Sequence, residues 1–285
     1  MRITLKYFIF LILVLPVFLL KAYSYQTFDG KYTYNEYQQG YKYEANVSND
    51  EEEVLFIVDF SNSMNIKMGY SPKVYHAIDA IRTILNNSGN RTKIGLRVFG
   101  VTDKPVLERK GNKLTWNKEN LCSASSLVMP ISRYNSSNIS DKLGEIHPQG
   151  VSPIGYSLRE AIQNDFSMNA SIKHIILVTD GGENCGDDPC HFIKYIMRLR
   201  DDIRIDVIGI TVDKNAYSQL SCIASAAKGK YYSVDTPQDF NIKFNEAFNS
   251  TQKLILEPKL IRNTKTIVPP QNGIKYKNYV FEFDN

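Results

Sequence analysis

The sequence predicts an α/β protein whose central sheet is doubly wound and mostly parallel. Strand-like and helix-like segments alternate at short spacing along the chain. The central strand-like runs are apolar at nearly every position, as expected for strands that are buried on both faces. Two of these runs, residues 54–59 and 173–180, each end in an aspartate. These observations favour an open sheet with helices on both faces and right-handed crossovers.

The predicted elements follow one another in a regular order. Strands are predicted at residues 54–59, 93–100, 127–131, 173–180, 204–212 and 230–234. Helices are predicted at about residues 71–89, 137–146, 152–162, 191–200, 214–227 and 236–249. Ser71 and Asp213 are expected to cap the helices that they precede. Residues 101–122 contain Pro105, Gly111 and the only tryptophan, and they predict a hairpin or an irregular excursion.

The ends of the chain differ in composition from this regular part. Residues 1–24 have the pattern of a secretory signal peptide, because basic residues precede an apolar run and Ala22-Tyr23-Ser24 offers small residues for cleavage. The apolar run is short for a membrane span, although an uncleaved anchor remains an alternative. Residues 25–51 are a polar, Tyr-rich N-terminal arm, residues 52–250 are the main domain, and residues 251–285 predict a short C-terminal β extension.

The charge balance excludes a nucleic-acid-binding protein. The chain has 34 Lys and Arg against 30 Asp and Glu, which gives a net charge of +4. Arg2, Lys6 and Lys21 belong to the predicted signal peptide, so the remaining chain has 34 less 3, or 31, basic residues and a net charge of +1. A nucleic-acid partner would require a basic patch. We therefore expect no nucleic-acid partner and, after signal cleavage, no membrane span.

Four cysteines indicate an oxidising compartment. An even number of cysteines in an exported chain predicts two disulfides, with three possible pairings among Cys122, Cys185, Cys190 and Cys222. Four unpaired thiols are the alternative. A zinc site fits less well, because the Cys185-x4-Cys190 spacing is loose and the other two cysteines lie far away in the sequence. The expected localisation is secreted, or periplasmic and in the cell envelope.

A candidate metal site lies where the two acid-terminated strands end. Ligands of an open parallel sheet bind outside the carboxyl ends of the strands, where the strand order reverses. Asp59, Ser61 and Ser63 follow the first strand, Asp180 ends the later one, and Ser152 precedes a helix. If the two strands are neighbours, these loops converge. Hydroxyl and carboxylate oxygens are the ligands that a hard cation such as Mg2+ prefers.

The number of acids at this site favours binding of a further anion. Two carboxylates and three neutral hydroxyls leave a divalent cation with unshared positive charge, whereas four acids would neutralise it. One coordination position would remain for water or for a partner's carboxylate. The alternatives are structural. Ser152-Pro153 can be a plain helix cap, and Asp180-Gly181-Gly182 can be only a turn.

Three motifs carry a resemblance to a known family. The stretches D-F-S-N-S at 59–63, G-V-S-P-I-G at 150–155 and V-T-D-G-G-E-N at 178–184 resemble the metal-ion-dependent adhesion site of von Willebrand factor A domains. The resemblance covers about residues 52–249. It implies a Rossmann-like fold with five parallel strands and one short antiparallel edge strand, which fits residues 127–131. It also implies that Ser61 and Ser63 coordinate the ion directly and that Asp59 and Asp180 help, often through water.

The resemblance also bears on Ser152 and on the cysteines. The family usually has threonine where this chain has Ser152, so the hydroxyl is kept and the stiffening methyl group is lost. The segments E-N-C-G-D-D-P-C-H-F and L-S-C-I-A-S-A-A-K-G-K-Y-Y resemble exported bacterial members of the family. On this basis we favour the pairs Cys122–Cys185 and Cys190–Cys222. A local Cys185–Cys190 bridge is the main competitor.

These features together predict a non-enzymatic, exported binding protein. It would hold Mg2+, or Mn2+ or Ca2+, and bind a protein ligand whose exposed Asp or Glu completes the coordination shell. One alternative is a structural or assembly subunit of the cell envelope that acts without metal. Another is a metal-dependent hydrolase, but the sequence offers no evident general base, and a phosphatase would need an acid in place of Ser61.

Overall fold

The structure, a computed structural model, describes residues 52–88, 92–167 and 172–250. The predicted signal peptide (1–24), the N-terminal arm (25–51) and the C-terminal β extension (251–285) lie outside these ranges, so the predictions for them stay predictions. The predicted main domain, residues 52–250, is described except for two short internal gaps.

Ten strands are formed by the described residues: β1 Glu52–Asp59, β2 Lys67–Met68, β3 Ser71–Pro72, β4 Lys93–Phe99, β5 Leu107–Lys110, β6 Lys113–Trp116, β7 Ser125–Ser132, β8 Ile172–Thr179, β9 Ile203–Ile210 and β10 Tyr231–Val234. Six of them form the central sheet in the order β10-β9-β8-β1-β4-β7. All pairs in this sheet are parallel except β4 with β7, which is antiparallel. The predicted fold class is confirmed, including the antiparallel edge strand.

Seven α-helices are found in the same ranges: α1 Lys73–Asn87, α2 Lys118–Cys122, α3 Ser136–Glu145, α4 Ile154–Glu160, α5 Pro189–Leu199, α6 Lys214–Ala226 and α7 Asp239–Phe248. A 3-10 turn covers Asn62–Asn65, and a π turn over Ala161–Asp165 continues α4. No helix among the described residues has the length and apolarity that crossing a membrane requires.

The continuous apolar pattern of β1 follows from burial on both faces. Val54, Phe56 and Val58 pack in one core cluster with side chains of α1, α3 and α7. Leu55 and Ile57 pack in a second cluster with side chains of α4, α5 and α6. Each of these five side chains is fully buried. Burying one such side chain contributes about 1.5–3 kcal/mol, so the two layers of helices hold the strand in place.

The strand order places a switch point beside β1. The chain passes from β1 to β4 on one side of it and later returns to form β8 on the other side. Val58 of β1 is in register with Val178 of β8, so the two acid-terminated strands are neighbours. The ends of β1 and β8 therefore meet at one edge of the sheet, where a ligand site is expected.

Two local predictions had different outcomes. Ser71 was expected to cap α1, but Pro72 occupies the N-cap position and no side chain caps this helix. The reason is that Ser71 pairs with Met68 in the short β2–β3 ladder and is held in an extended conformation. Asp213, in contrast, caps α6 as predicted, because its Oδ1 accepts the N–H of Ala216 at 2.8 Å.

Candidate metal site at the ends of β1 and β8

Asp59 is the fixed centre of the site. It is the last residue of β1 and is fully buried. Its Oδ1 accepts the backbone N–H of Ser61 at 2.6 Å, and its Oδ2 accepts the hydroxyl of Thr179 at 2.6 Å. Burial raises the pKa of Asp59 to about 6, although the hydrogen bonds from Ser61 and Thr179 act in the opposite direction. The nearby charge of Asp180 also raises this pKa.

The two hydroxyls after Asp59 connect it to the second aspartate. Ser61 precedes the 3-10 turn, which brings its hydroxyl within 3.0 Å of the Ser63 hydroxyl. Ser63 in turn donates a hydrogen bond to Oδ1 of Asp180 at 2.7 Å. Four of the five predicted ligands therefore form one group, and the link between Ser63 and Asp180 spans 117 residues of sequence.

The loop that carries Ser152 runs alongside Ser61. Ser61 forms a parallel β-bridge with Gly150, and the N–H of Asn62 donates to the Gly150 carbonyl at 3.0 Å. Gly150 must be glycine for this approach, since a Cβ there would lie 2.7 Å from the carbonyl oxygen of Gly100. Ser152 follows two residues later and is 3% exposed.

Ser152 does not cap the helix that follows it. Pro153 occupies the N-cap position of α4, and no side chain caps that helix. The structural alternative for Ser152 is therefore wrong. Its backbone N–H donates to Oδ1 of Asn184 at 2.8 Å, so the second motif is tied to the third.

The acidic loop after Asp180 supports the site from outside. Glu183 accepts the N–H groups of Gly155 and Cys185, both at 2.7 Å, and so satisfies a backbone donor in the first turn of α4. Burial raises the pKa of Glu183, which these two hydrogen bonds partly offset. Asp187 forms an ion pair with Arg159 of α4. Each of these acids thus has a structural partner in the loop or the adjacent helix.

Sequence reasoning missed Lys73 and Thr179. The ammonium of Lys73 lies 2.9 Å from Oδ2 of Asp180, and Lys73 is only 8% exposed. Lys73 is the first residue of α1, a position where the helix dipole disfavours a cation, and this could have marked it as unusual. Thr179 places a hydroxyl group directly after an apolar run at the end of β8. This polar residue at a strand end could also have marked Thr179 as part of the site.

Both predicted disulfides are formed. Cys122 is bonded to Cys185, and Cys190 is bonded to Cys222, with Cα–Cα distances of 5.5 and 5.7 Å. The first bond joins α2 to the loop after Asp180, and the second joins α5 to α6. The pairing suggested by the family resemblance is confirmed, and the local Cys185–Cys190 alternative is wrong.

The donor set fits a hard divalent cation. The predicted ligands offer only hydroxyl and carboxylate oxygens, which suit Mg2+, Mn2+ or Ca2+ better than softer metals. Within residues 52–88, 92–167 and 172–250, no group of three or more His, Cys, Asp or Glu could hold a metal ion.

The fold and this group of residues define an α/β domain with a polar site at the strand switch point. The sequence profile described as the von Willebrand factor type A domain matches residues 52–233. This match covers more than half of the chain. The chain therefore belongs to the von Willebrand factor type A domain family.

Similar proteins agree with this assignment. The uncharacterized protein YwmD of Bacillus subtilis (strain 168) is 27% identical over 188 residues, which are 66% of this chain and 80% of YwmD. The structure of the conserved hypothetical protein BatB from Bacteroides thetaiotaomicron has a TM-score of 0.53 at 20% identity, over 71% of this chain and 98% of BatB. The pilus adhesin SpaC from Lactobacillus rhamnosus GG has a TM-score of 0.52 at 17% identity, over 73% of this chain and 31% of SpaC. At these identities the solved structures show the fold alone.

Proposed function

We propose that the protein is an exported binding module that holds a divalent cation and binds a protein ligand through an acidic group. The observation that carries the proposal is the continuous set of contacts Ser61–Ser63–Asp180 beside the buried Asp59. Ser61, Ser63 and Ser152 would supply hydroxyl ligands, while Asp59 and Asp180 would supply the negative charge. When bound, the ion would supply positive charge for an anionic oxygen of the ligand.

The β5–β6 hairpin supports a protein as the ligand. Its register pairs Leu107 with Trp116 and Arg109 with Leu114, so these four side chains share one face. Leu107, Leu114 and Trp116 are 42%, 64% and 66% exposed. Tryptophan and arginine are frequent anchors of protein interfaces. A cavity of about 60 Å³ is lined by both Trp116 and Gly150, and the backbone of Gly150 pairs with Ser61 of the site.

The proposed role is non-enzymatic. A general base must be able to take a proton from a substrate or a water molecule. Both carboxylate oxygens of Asp59 already accept hydrogen bonds, and those of Asp180 contact Ser63 and Lys73. The two disulfides support a secreted or cell-envelope location, since such bonds persist in oxidising compartments.

Calorimetric titration of the purified protein with Mg2+, Mn2+ and Ca2+ tests the proposal. The wild type is expected to bind at least one of these ions and to melt at a higher temperature in its presence. The double variant Asp59→Ala with Ser61→Ala should lose both effects. Ser218→Ala, which removes an exposed hydroxyl of α6, is the matched control and should behave as the wild type. If the wild type shows no heat and no change in melting temperature, the metal proposal is wrong.

The Lys73–Asp180 ion pair favours a second candidate function. With the ammonium 2.9 Å from Oδ2, the charge of Asp180 is compensated by the chain itself. The same fold could therefore serve as a structural or assembly subunit that needs no metal. Capture of cell-envelope proteins on the immobilised protein, with Mg2+ or with EDTA, separates the two functions. Partners retained in EDTA favour assembly, and partners released by EDTA favour the metal-dependent role.

A further inference from the structure

Asp180 is held between two partners of different character. Ser63 donates to its Oδ1 at 2.7 Å, and the ammonium of Lys73 contacts its Oδ2 at 2.9 Å. Asp180 and Lys73 are each 8% exposed. The ion pair is thus largely shielded from water. A charge interaction is stronger in such a buried position than at the surface. Oδ1 lies on the Ser63 side and Oδ2 on the Lys73 side, so the two oxygens have separate roles.

Backbone hydrogen bonds fix the position of Lys73. Its N–H donates to the carbonyl of Ile66 at 3.0 Å, and the preceding residue, Pro72, pairs with Lys67 in the β2–β3 ladder. Lys73 then starts α1, in the turn where the helix dipole acts against a positive charge. A cation in this unfavourable position needs a compensating interaction, which Asp180 supplies. The pair spans 107 residues of sequence and joins the start of α1 to the third motif.

We propose that Lys73 is a built-in counter-charge that sets how strongly the site holds a divalent cation. This inference rests on the proposed function of the site. Asp59 and Asp180 together carry two negative charges, and the ammonium of Lys73 compensates one of them. A divalent ion then enters a site with a net charge of −1 rather than −2. The ion is held less tightly, and it keeps more positive charge for the carboxylate of a ligand.

The same charge explains how the site can exist without an ion. Asp59 and Asp180 are both buried in one site, so their negative charges repel each other. The ammonium of Lys73 reduces this repulsion because it contacts the carboxylate of Asp180. Without Lys73, the metal-free protein should be less stable, and a divalent cation should restore more stability than it gives the wild type.

Lys73→Met separates charge from side-chain length, because methionine fills similar space without a charge. Lys73→Arg keeps the charge, and Lys67→Met removes an exposed lysine close by and is the matched control. Each protein is titrated with Mg2+ by calorimetry and melted with Mg2+ and with EDTA. Lys73→Met should bind Mg2+ about tenfold or more tightly than the wild type and show the larger Mg2+-induced rise in melting temperature. Lys73→Arg and Lys67→Met should stay within about threefold of the wild type.

The outcomes distinguish this inference from the proposed function. If the wild type binds Mg2+ and Lys73→Met binds it equally or more weakly, the counter-charge role is wrong while the metal site stands. If neither protein binds any divalent cation, the proposed function itself fails. Should Lys73→Met be unfolded in EDTA, its circular dichroism is followed during the Mg2+ titration. Recovery below the Mg2+ concentration that half-saturates the wild type supports the inference, and failure to recover overturns it.

Discussion

Replacing Asp59 by asparagine should stabilise the metal-free protein at neutral pH while removing metal binding. Asparagine has the same shape, and its amide oxygen can still accept the N–H of Ser61. Its amide NH2 can donate to the hydroxyl of Thr179, which also contacts the carbonyl of Gly181 at 2.9 Å. The variant therefore keeps the local contacts and loses only the buried negative charge.

The expected gain follows from the pKa of Asp59. Burial raises this pKa from 3.8 to about 6, so the folded state binds the proton more tightly than the unfolded state does. Stability is therefore lost as the pH rises from about 4 to about 6, and it stays lower above that range. One pKa unit corresponds to 1.36 kcal/mol, which gives about 3 kcal/mol as an upper limit. Asparagine does not titrate, so its advantage over the wild type should be near zero at pH 4 and about 1–3 kcal/mol at pH 7.

Urea unfolding in EDTA at several values between pH 4 and pH 7 measures this difference. The comparison cancels the titration of groups that both proteins share. Asp141→Asn removes a carboxylate at an exposed position of α3 and is the control, and it should change the free energy of unfolding by less than about 0.5 kcal/mol. If Asp59→Asn is less stable than the wild type at pH 7, or if the difference is flat across the range, the charge of Asp59 is not the destabilising feature that its burial indicates.

Three further changes test other parts of the structure. His174 is fully buried, and hydrogen bonds to Asp206 and Glu52 raise its pKa although burial alone would lower it. In urea unfolding, His174→Gln should reduce stability by about 3 kcal/mol at pH 6, and this loss should shrink as the pH rises through the raised pKa of His174. Replacing Cys122 and Cys185 by serine opens a link across 63 residues, which should lower the free energy of unfolding by about 4 kcal/mol in the same assay. Trp116→Ala should change stability by less than about 0.5 kcal/mol but weaken a Mg2+-dependent partner at least about fivefold in a pull-down titration, because Trp116 is 66% exposed.

The fold was accessible from the sequence because its strongest signal is local. A strand that is buried on both faces is apolar at each position, and β1 and β8 both show this pattern regardless of what packs on them. The switch point then follows from topology, once β1 and β8 are neighbours. The failed cap at Ser71 shows the limit of local reasoning. A Ser-Pro pair is a good helix start, but pairing with Met68 took Ser71 out of the helix.

The five residues proposed as ligands were named from the sequence, but the positive charge of Lys73 beside them was not predicted. The positions of Asp59, Ser61 and Ser63 follow from one strand end, so a local motif reveals them. Lys73 belongs to another element, and only its long side chain brings it to Asp180. Periodicity and spacing describe backbone positions and do not report where a flexible four-carbon chain places its charge. Contacts of this kind required the structure.

The two aspartates of the site are held in different ways, and this difference determines where the protein can respond to an ion. Asp59 is bound by a backbone N–H and by a hydroxyl at the end of β8, so its position is set by the sheet itself. Asp180 is bound by the side chains of Ser63 and Lys73, both of which can rotate. We therefore expect a cation or a ligand to leave Asp59 in place and to shift Asp180 with its partners. Because Lys73 is the first residue of α1, we expect a shift of Asp180 to move the beginning of that helix first.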